Sequence, residues 1–281
     1  MKRLDISELI FKILAYVLVI VFAFACLFPL IYTVAMMFSN LEGYTSGNVL
    51  FYPIGFQTDA FMSVIKDKGF WIAYTNTMYL TFYGTMFSML ISIFAAYALS
   101  KKGLFLGKFL NLFIVFTMWF SAGVIPTYQN YQRFHINSKL GFVIGFGAQA
   151  FNIILLRNYF NGISHEIEEA AIIDGASETQ VLTSIYLPMS KAALATVTLF
   201  YALNRWNGYF WASQLLNTDE QPLQVYIQLL SNQEYDNIDQ IFHPQSQVYA
   251  MVFLSIIPII IMYPYIQKYF AKGVNVGGVK E

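Results

Sequence analysis

Residues 164–188 read Ser164-His-Glu-Ile-Glu-Glu-Ala-Ala-Ile-Ile-Asp-Gly-Ala-Ser-Glu-Thr-Gln-Val-Leu-Thr-Ser-Ile-Tyr-Leu-Pro188. The pattern predicts two short helices set at an angle. Ser164 can cap the first, with Glu166 and Glu168 near the positive end of its dipole. Ile167, Ala170 and Ala171 recur at i, i+3 and i+4 and make a small apolar face. Gly175 supplies a turn where positive φ is easy, so the first helix is expected to end there. Ser177 and Gln180 form a capping box for the second helix, whose apolar stripe is Val181, Leu182 and Ile185. Pro188 is expected to break that helix and start the next element. Helices that lie on lipid headgroups favour Lys and Arg. This segment is acidic and jointed by a glycine, which suits the docking of another protein.

The rest of the chain says what that segment is attached to. Of 281 residues, 57% are hydrophobic, 18% aromatic and only 11% charged. Soluble domains average about 25% charged residues, so a core of this size could not be covered by so few charges. Sixteen basic and sixteen acidic side chains cancel, which gives no footprint for nucleic acid. A disordered chain, a disulfide scaffold and a typical cytosolic enzyme are all excluded. The single cysteine, Cys26, lies in an apolar run, and His135, His165 and His243 stand far apart. No metal site is expected.

Spanning a bilayer takes about 20 mostly apolar residues. Six stretches qualify: Ile13–Phe38, Trp71–Leu99, Phe109–Gln129, Leu140–Phe160, Met189–Trp211 and Gln247–Phe270. The fold expected is an all-α integral membrane protein with six transmembrane helices. The fourth span carries Gly141, Gly145, Gly147, Gln149 and Asn152, as a helix packed on protein rather than lipid would. Lys2, Arg3 and Lys12 lead the first span, which is longer than a signal-peptide core and reads as a retained anchor.

Orientation follows from loop Lys and Arg. One side holds Lys2, Arg3, Lys12, Lys101, Lys102, Lys108, Arg157, Lys191, Lys268, Lys272 and Lys280; the other holds Lys66, Lys68, Arg133 and Lys139. Both termini are therefore expected in the cytoplasm. Two long outer segments result, Ser39–Phe70 and Ala212–Ser246. The second is polar, with Asp219, Glu220, Gln221, Pro222, Asn232, Glu234 and Asp239. The expected organisation is an anchor helix and outer segment over 1–70, a five-helix core over 71–268 and a cytoplasmic tail over 269–281.

Glu169-Ala-Ala-Ile-Ile-Asp174-Gly175-Ala176, followed by Ile185-Tyr-Leu187-Pro188, resembles the EAA loop of permeases of binding-protein-dependent ABC importers. The six-span layout resembles the maltose-importer class of sugar permeases, second permease subunit type, over about Trp71 to Lys268. Asn204-Arg-Trp206-Asn207-Gly208-Tyr209-Phe210-Trp211 is similar to a Trp-Asn-acid-aromatic segment of that class, with Gly208 where an acid is frequent. The tail Lys272-Gly-Val-Asn-Val-Gly-Gly-Val-Lys280 is similar to the family's ending. Among these permeases, those for complex oligosaccharides in Gram-positive bacteria are the nearest in appearance.

The resemblance implies a type I ABC importer permease fold with a cytoplasmic coupling helix over 164–188. Glu169 would bond a basic residue of a cytoplasmic ATPase, Ala170 and Ala171 would pack in its cleft, and Gly175 would set the elbow. Asp174, Ile185, Leu187 and Pro188 complete that coupling set. It also implies an ATPase dimer that carries ATP and Mg, a second, non-identical permease subunit, and an extracellular solute-binding protein that delivers an oligosaccharide.

This chain has no nucleotide site of its own, because Gly103-Leu-Phe-Leu-Gly107-Lys108-Phe109 is one residue short of a phosphate loop and lacks its Ser/Thr. No catalytic constellation is visible. Arg205 is the lone formal charge within a span, roughly 24 Å along the fifth helix at ~1.5 Å per residue. Two readings stand for it: snorkelling to outer water, or facing the pore to bind a hydroxyl or a uronate carboxylate. Asn204, Trp206, Asn207 and Tyr209, with Asn76, Trp119, Gln149 and Asn152 from other spans, suit a sugar path. They equally suit interfacial anchoring or helix-helix glue. A secondary ion-coupled transporter is the alternative, but it needs an intramembrane carboxylate or broken helices, and no Asp or Glu falls within the spans. A permease for a non-sugar solute is the other.

Overall fold

The computed structural model describes residues 6–233 and 243–274, all of whose regular structure is helical. In chain order the helices are α1 Ile6–Met37, α2 Leu41–Ser46, α3 Asp59–Lys66, α4 Lys68–Ser100, α5 Gly107–Trp119, α6 Val124–Arg133, α7 Lys139–Gly145 and α8 Ala150–Asn161. There follow α9 His165–Ile173, α10 Glu178–Val181, a π turn Leu182–Tyr186, α11 Leu187–Met189, α12 Lys191–Asn207, α13 Phe210–Leu215, a 3-10 turn Thr218–Glu220, α14 Leu223–Ser231 and α15 Pro244–Val274. Lys2, Arg3, Glu234, Asp239 and the end of the tail motif, from Asn275 to Lys280, lie outside the described residues.

Three of the expected spans are continuous helices, α1, α4 and α15. The third and fourth are bent pairs, while the fifth, carried by α12, is entered from the inter-span loop by a sharp turn. α5 and α6 meet at 120°, α7 and α8 at 50°, and the Glu178–Met189 stretch meets α12 at 84°. The expected third span, Phe109–Gln129, is thus not one helix: Gly123, at φ +85°, turns the chain between α5 and α6. The expected fourth span breaks between Gly145 and Ala150. A Cβ on Gly147 would sit 2.6 Å from the Phe87 ring, and one on Gly145 would sit 2.5 Å from Ile136. These glycines permit close packing on protein, as expected of that span.

A break in a span leaves backbone groups that need partners away from water. α12 supplies them from two side chains one turn apart. The Tyr201 hydroxyl accepts the Gln149 N–H at 3.2 Å, at the start of α8. Arg205 donates to the Phe146 carbonyl at 2.5 Å, at the end of α7. Tyr201 also shares a 2.7 Å bond with Ser92 of α4.

Two compact units divide the chain. The first holds the described residues up to Phe70 and those of 227–257; the second holds 71–226 and the described residues from Pro258. In the first, large apolar side chains from Leu9 to Leu30 are exposed along α1, as befits lipid contact. Its last turn is buried: Ala35 and Met36 pack with Val49, Tyr32, Tyr44, Ile54 and Tyr249. The Asn40 side chain caps α2. The Tyr44 ring stacks on His243 at 3.8 Å, and Gln247 donates to Ser63 at 2.6 Å. Residues 243–257 are tied by these side-chain pairs to the residues up to Phe70.

In the second unit, α4 is packed along its length by two apolar clusters. One joins Ala96 and Tyr97 to Leu156, Phe160, Val181, Leu182, Tyr186, Val197 and Tyr201. The other joins Leu80 to Phe142, Val143, Ala212, Leu215, Leu216 and Val225. Residues 212–226, expected as a polar outer loop, are instead folded back by these buried aliphatics. Asn76 pins them down: its amide donates to the carbonyls of Asp219 (2.9 Å) and Gln221 (3.0 Å). Next to it, Thr77 Oγ1 accepts the Leu223 N–H at 2.7 Å. Asn76 is 3% exposed and both amide hydrogens are bonded, so its place is in the scaffold rather than on a solute path. Replacing Asn76 with Ala leaves two carbonyls unpaired and is expected to destabilise this packing by about 2–3 kcal/mol. Limited proteolysis should then cut at 217–221 in the variant under conditions that spare the wild type.

Candidate functional site

The loop between α8 and α12 forms as its local sequence dictates. Ser164 caps α9 through the Glu166 N–H. Gly175 stands at φ +84° with nothing within 4 Å of a notional Cβ, so conformation alone requires glycine there. Ser177 and Gln180 make the reciprocal capping box. Pro188 does not end the second helix. The π turn precedes it, with the Leu187 N–H bonded to the Leu182 carbonyl, and the chain turns two residues later at Ser190. A wide turn accommodates the missing proline N–H at less cost than a regular α-helix.

Lys101, just past the end of α4, fastens both halves of this loop to the second unit. It pairs with Glu168 of α9, and its Nζ is 3.4 Å from Glu178 of α10. The ammonium lies 4.1 Å over the Tyr97 ring and 5.1 Å from the Tyr186 ring. The Tyr186 hydroxyl donates to Glu168 at 2.5 Å, and the Tyr97 hydroxyl donates to Glu178 at 2.5 Å. Burial alone would raise the Glu168 carboxyl, but the bonds from Lys101 and Tyr186 outweigh it and hold the group below 4.5. Burial alone would lower Lys101, yet its Glu168 and Tyr97 partners raise it above 10.5. Tyr186 is pushed up, by burial first and the adjacent carboxylate second.

With Glu168 turned inward, the residues of the opposite face are outward. Glu169, Ala170, Asp174 and Gly175 are exposed, Ile173 is 85% exposed, and Ile167 is 42% exposed. Ala171, Ile185 and Leu187 are half-buried against the apolar cluster beneath, so they hold the loop in place rather than offer a surface. Pro188 is exposed. A carboxylate beside two small or aliphatic side chains, on a helix held from behind, can receive a basic residue and a close-packed neighbour.

The second group of residues lies at the other end of α12. A cavity of about 560 Å³ is lined by Gln149, Phe151, Asn152, Phe200, Leu203, Asn204, Asn207 and Gly208. A smaller one, about 280 Å³, shares Asn204, Asn207 and Gly208 and adds Arg205, Tyr209 and Trp211. Gln149, Asn152, Asn204, Asn207 and Tyr209 are thus brought together from α8, α12 and the turn after it. A Cβ on Gly208 would lie 2.9 Å from the Asn204 carbonyl, so a side chain there would force this turn to shift.

The other path candidates are elsewhere. Trp119 ends α5 and is 86% exposed. Trp206 is 5% exposed, edge-on to Tyr74 at 6.1 Å, with its indole N–H buried and without a partner. Arg205 neither snorkels nor faces open space. It is 7% exposed, bonded to Phe146, with Ser88 at 3.4 Å and room made by Gly84, where a Cβ would stand 3.0 Å from its Nε. Sequence reasoning missed Lys101, Tyr97, Glu168 and Tyr201 as site builders. The Lys101 signal was present, as a lysine that immediately follows an apolar span, but its acidic partners lie more than sixty residues away.

A multi-pass helical membrane protein with broken spans and an acidic, outward-facing inter-span loop belongs among transport permeases. Residues 69–276 match the family described as binding-protein-dependent transport system inner membrane component, and the chain belongs to that family. It is 32% identical to the polygalacturonan/rhamnogalacturonan transport system permease protein YtcP of Bacillus subtilis (strain 168), over 96% of this chain and 98% of that one. It is 26% identical to the arabinooligosaccharides transport system permease protein AraQ of Halalkalibacterium halodurans, over 95% and 97% respectively. A chain from the crystal structure of a bacterial ABC transporter involved in the import of the acidic polysaccharide alginate superposes with a TM-score of 0.89 at 40% identity, covering 96% of this chain and all of that one.

Glu168 and Lys101 give a pH signature. Because the folded Glu168 carboxyl is depressed, its contribution is complete above pH 4.5 and is lost as pH falls through the depressed value. Lys101, being raised, contributes fully below pH 10.5 and fails only above its raised value. Glu168→Gln should therefore lower thermal stability at neutral pH and flatten the acid limb, while Glu169→Gln leaves both unchanged. Melting of the purified protein between pH 3 and 7 measures this. At the joint, Gly175→Ala should cost about 1–2 kcal/mol through positive φ alone, with Gly175→Asn milder because Asn tolerates that region. Thermal melts of the two variants give the order.

Proposed function

We propose that this chain is one permease subunit of an ATP-driven importer of acidic oligosaccharides. Both termini lie in the cytoplasm, and α9 with the Gly175 joint is the element that couples to a separate ATPase. The observation that carries the reading is the division of α9 into two faces. Glu168 is clamped inward by Lys101, while Glu169, Ala170 and Ile173 are left outward. A helix held from behind transmits force: a partner that grips Glu169 and Ala170 moves α4 and α12 with them. ATP and Mg would be held by that ATPase, and no step of nucleotide chemistry falls to this chain.

Its own task is to offer a path. Gln149, Asn204 and Asn207 provide amide donors and acceptors for sugar hydroxyls, and Tyr209 and Phe151 provide apolar contact for ring faces. Asn152, 1% exposed, donates to Gln149 at 3.0 Å and holds it in place. Arg205 acts by holding the α7–α8 break that shapes this cavity, as a positioning residue. An acidic substrate is supported by the relatives, one named for polygalacturonan and rhamnogalacturonan and one solved for an alginate importer. As six helices form half of a translocation path, a second homologous permease is expected beside this one, with an extracellular binding protein delivering the sugar. The family membership displaces the ion-coupled alternative.

The test is uptake by the complete complex in proteoliposomes, with oligogalacturonate, oligoalginate and maltotriose offered separately. Uronate oligomers should be imported and maltotriose should not. Asn204→Ala with Asn207→Ala, both exposed, should raise KM by roughly tenfold, the value of lost hydrogen bonds summing to about 1.4 kcal/mol. Glu169→Lys should abolish co-purification of the ATPase while leaving the permease folded. Import of maltotriose in preference to both uronates would overturn the substrate class, and full coupling in Glu169→Lys would overturn the docking surface.

A further inference from the structure

A cavity of about 900 Å³ opens beside the end of α4, and it shares no lining residue with the amide-lined cavity. Its wall includes Lys101, Lys102, Lys108, Arg157 and His165, with Asn111 and Asn161, and no carboxylate contributes to it. Lys101 is engaged by Glu168, but Lys102 and Lys108 are exposed. Arg157 is fixed in place: its two terminal nitrogens donate to Asn111 and Asn158, while its Nε is buried and has no partner. Asn111 is in turn held by the Gly107 carbonyl at 2.8 Å. α5, thirteen residues long, begins at this cavity without a side-chain cap, so the positive end of its dipole adds to the cations.

The rim is apolar. Phe105 is 84% exposed and Leu106 56%, on the connection between α4 and α5, and Phe109, Leu112 and Phe113 continue the apolar surface along α5. Leu106 stands at φ +57°, a conformation that a branched side chain seldom adopts. A soluble anion would be served by the cations alone. Greasy side chains beside a cationic pocket, at the end of a membrane span, match a ligand with a phosphodiester head and hydrocarbon tails.

We propose that this cavity binds the phosphodiester headgroup of an anionic phospholipid, with Lys102, Lys108 and Arg157 on the phosphate and the acyl chains laid along Phe105, Leu106 and α5. The site requires neither the sugar nor the ATPase and stands apart from the function proposed above. A bound lipid ties the α4–α5 connection to α8, and so steadies the end of α4 where Lys101 is anchored.

The experiment is native mass spectrometry of the purified complex, exposed to equimolar phosphatidylglycerol and phosphatidylcholine. Phosphatidylglycerol should be retained at one site per chain in preference to phosphatidylcholine. The double substitution K102Q with K108Q should weaken that preference by roughly 30-fold, about fivefold for each surface lysine removed. The Arg replacements at both positions should keep it, and Lys191→Gln, an exposed lysine away from the cavity, should leave it intact. A second arm offers inorganic phosphate. If phosphate stabilises the protein thermally through the same two lysines as well as phosphatidylglycerol does, the site belongs to a soluble anion and the lipid assignment falls. It falls equally if the double variant, folded by its melting temperature, retains phosphatidylglycerol as the wild type does.

Discussion

The Lys101 ammonium is the point on which the inter-span loop depends. An ammonium at the end of an apolar helix is strongly hydrated unless other groups replace its water. Here two carboxylates and two tyrosine rings do so. Because Glu168 and Glu178 come from the two sides of the Gly175 joint, one cation sets the angle between α9 and α10. Tyr186 adds a bond from the π turn. The loop is therefore not a hinged flap on the bundle but a continuation of its core, with Val181, Leu182 and Tyr186 buried in the same cluster as Leu156, Phe160 and Val197. A force applied to its outward face has a stiff route to α4 and α12, which is what an ATP-driven permease needs from such an element.

A comparable economy governs the broken fourth span. Breaking a helix at membrane depth is tolerable only when the freed N–H and C=O groups meet other partners. Tyr201 and Arg205, one helical turn apart on α12, meet one of each. The arginine thereby escapes the penalty of a lone intramembrane charge, since it is enclosed by protein and bonded to the negative end of α7. The break also places Gln149, held by a bond from the buried Asn152, at the same cavity that receives Asn204 and Asn207. Adjacent residues of one helix thus face the buried break and the open cavity, and side-chain direction separates them.

Much of the inter-span loop was legible because its determinants are local. Caps at Ser164 and Ser177, the turn at Gly175 and the apolar stripe each act within four residues, and each is found as the pattern predicts. What escaped is non-local. Helical spacing alone does not tell Glu168 from Glu169; the positions of Lys101 and Tyr186 decide which is turned inward. Pro188 was a misleading signal, because a π turn that relieves a proline has no marker of its own. Arg205 and Asn76 carried polar side chains on apolar helices, a pattern shared by solute ligands and by structural plugs.

The apolar runs, sparse charge and local caps suffice for a helical membrane protein with an acidic jointed loop, since hydropathy and capping act over short stretches of chain. Tertiary packing alone decided that two spans bend, and that the side chains of Asn76 and Arg205 are bonded within the scaffold. In each of those cases the partner is a backbone carbonyl or a ring distant in the chain, and periodicity holds no record of a contact made across the fold.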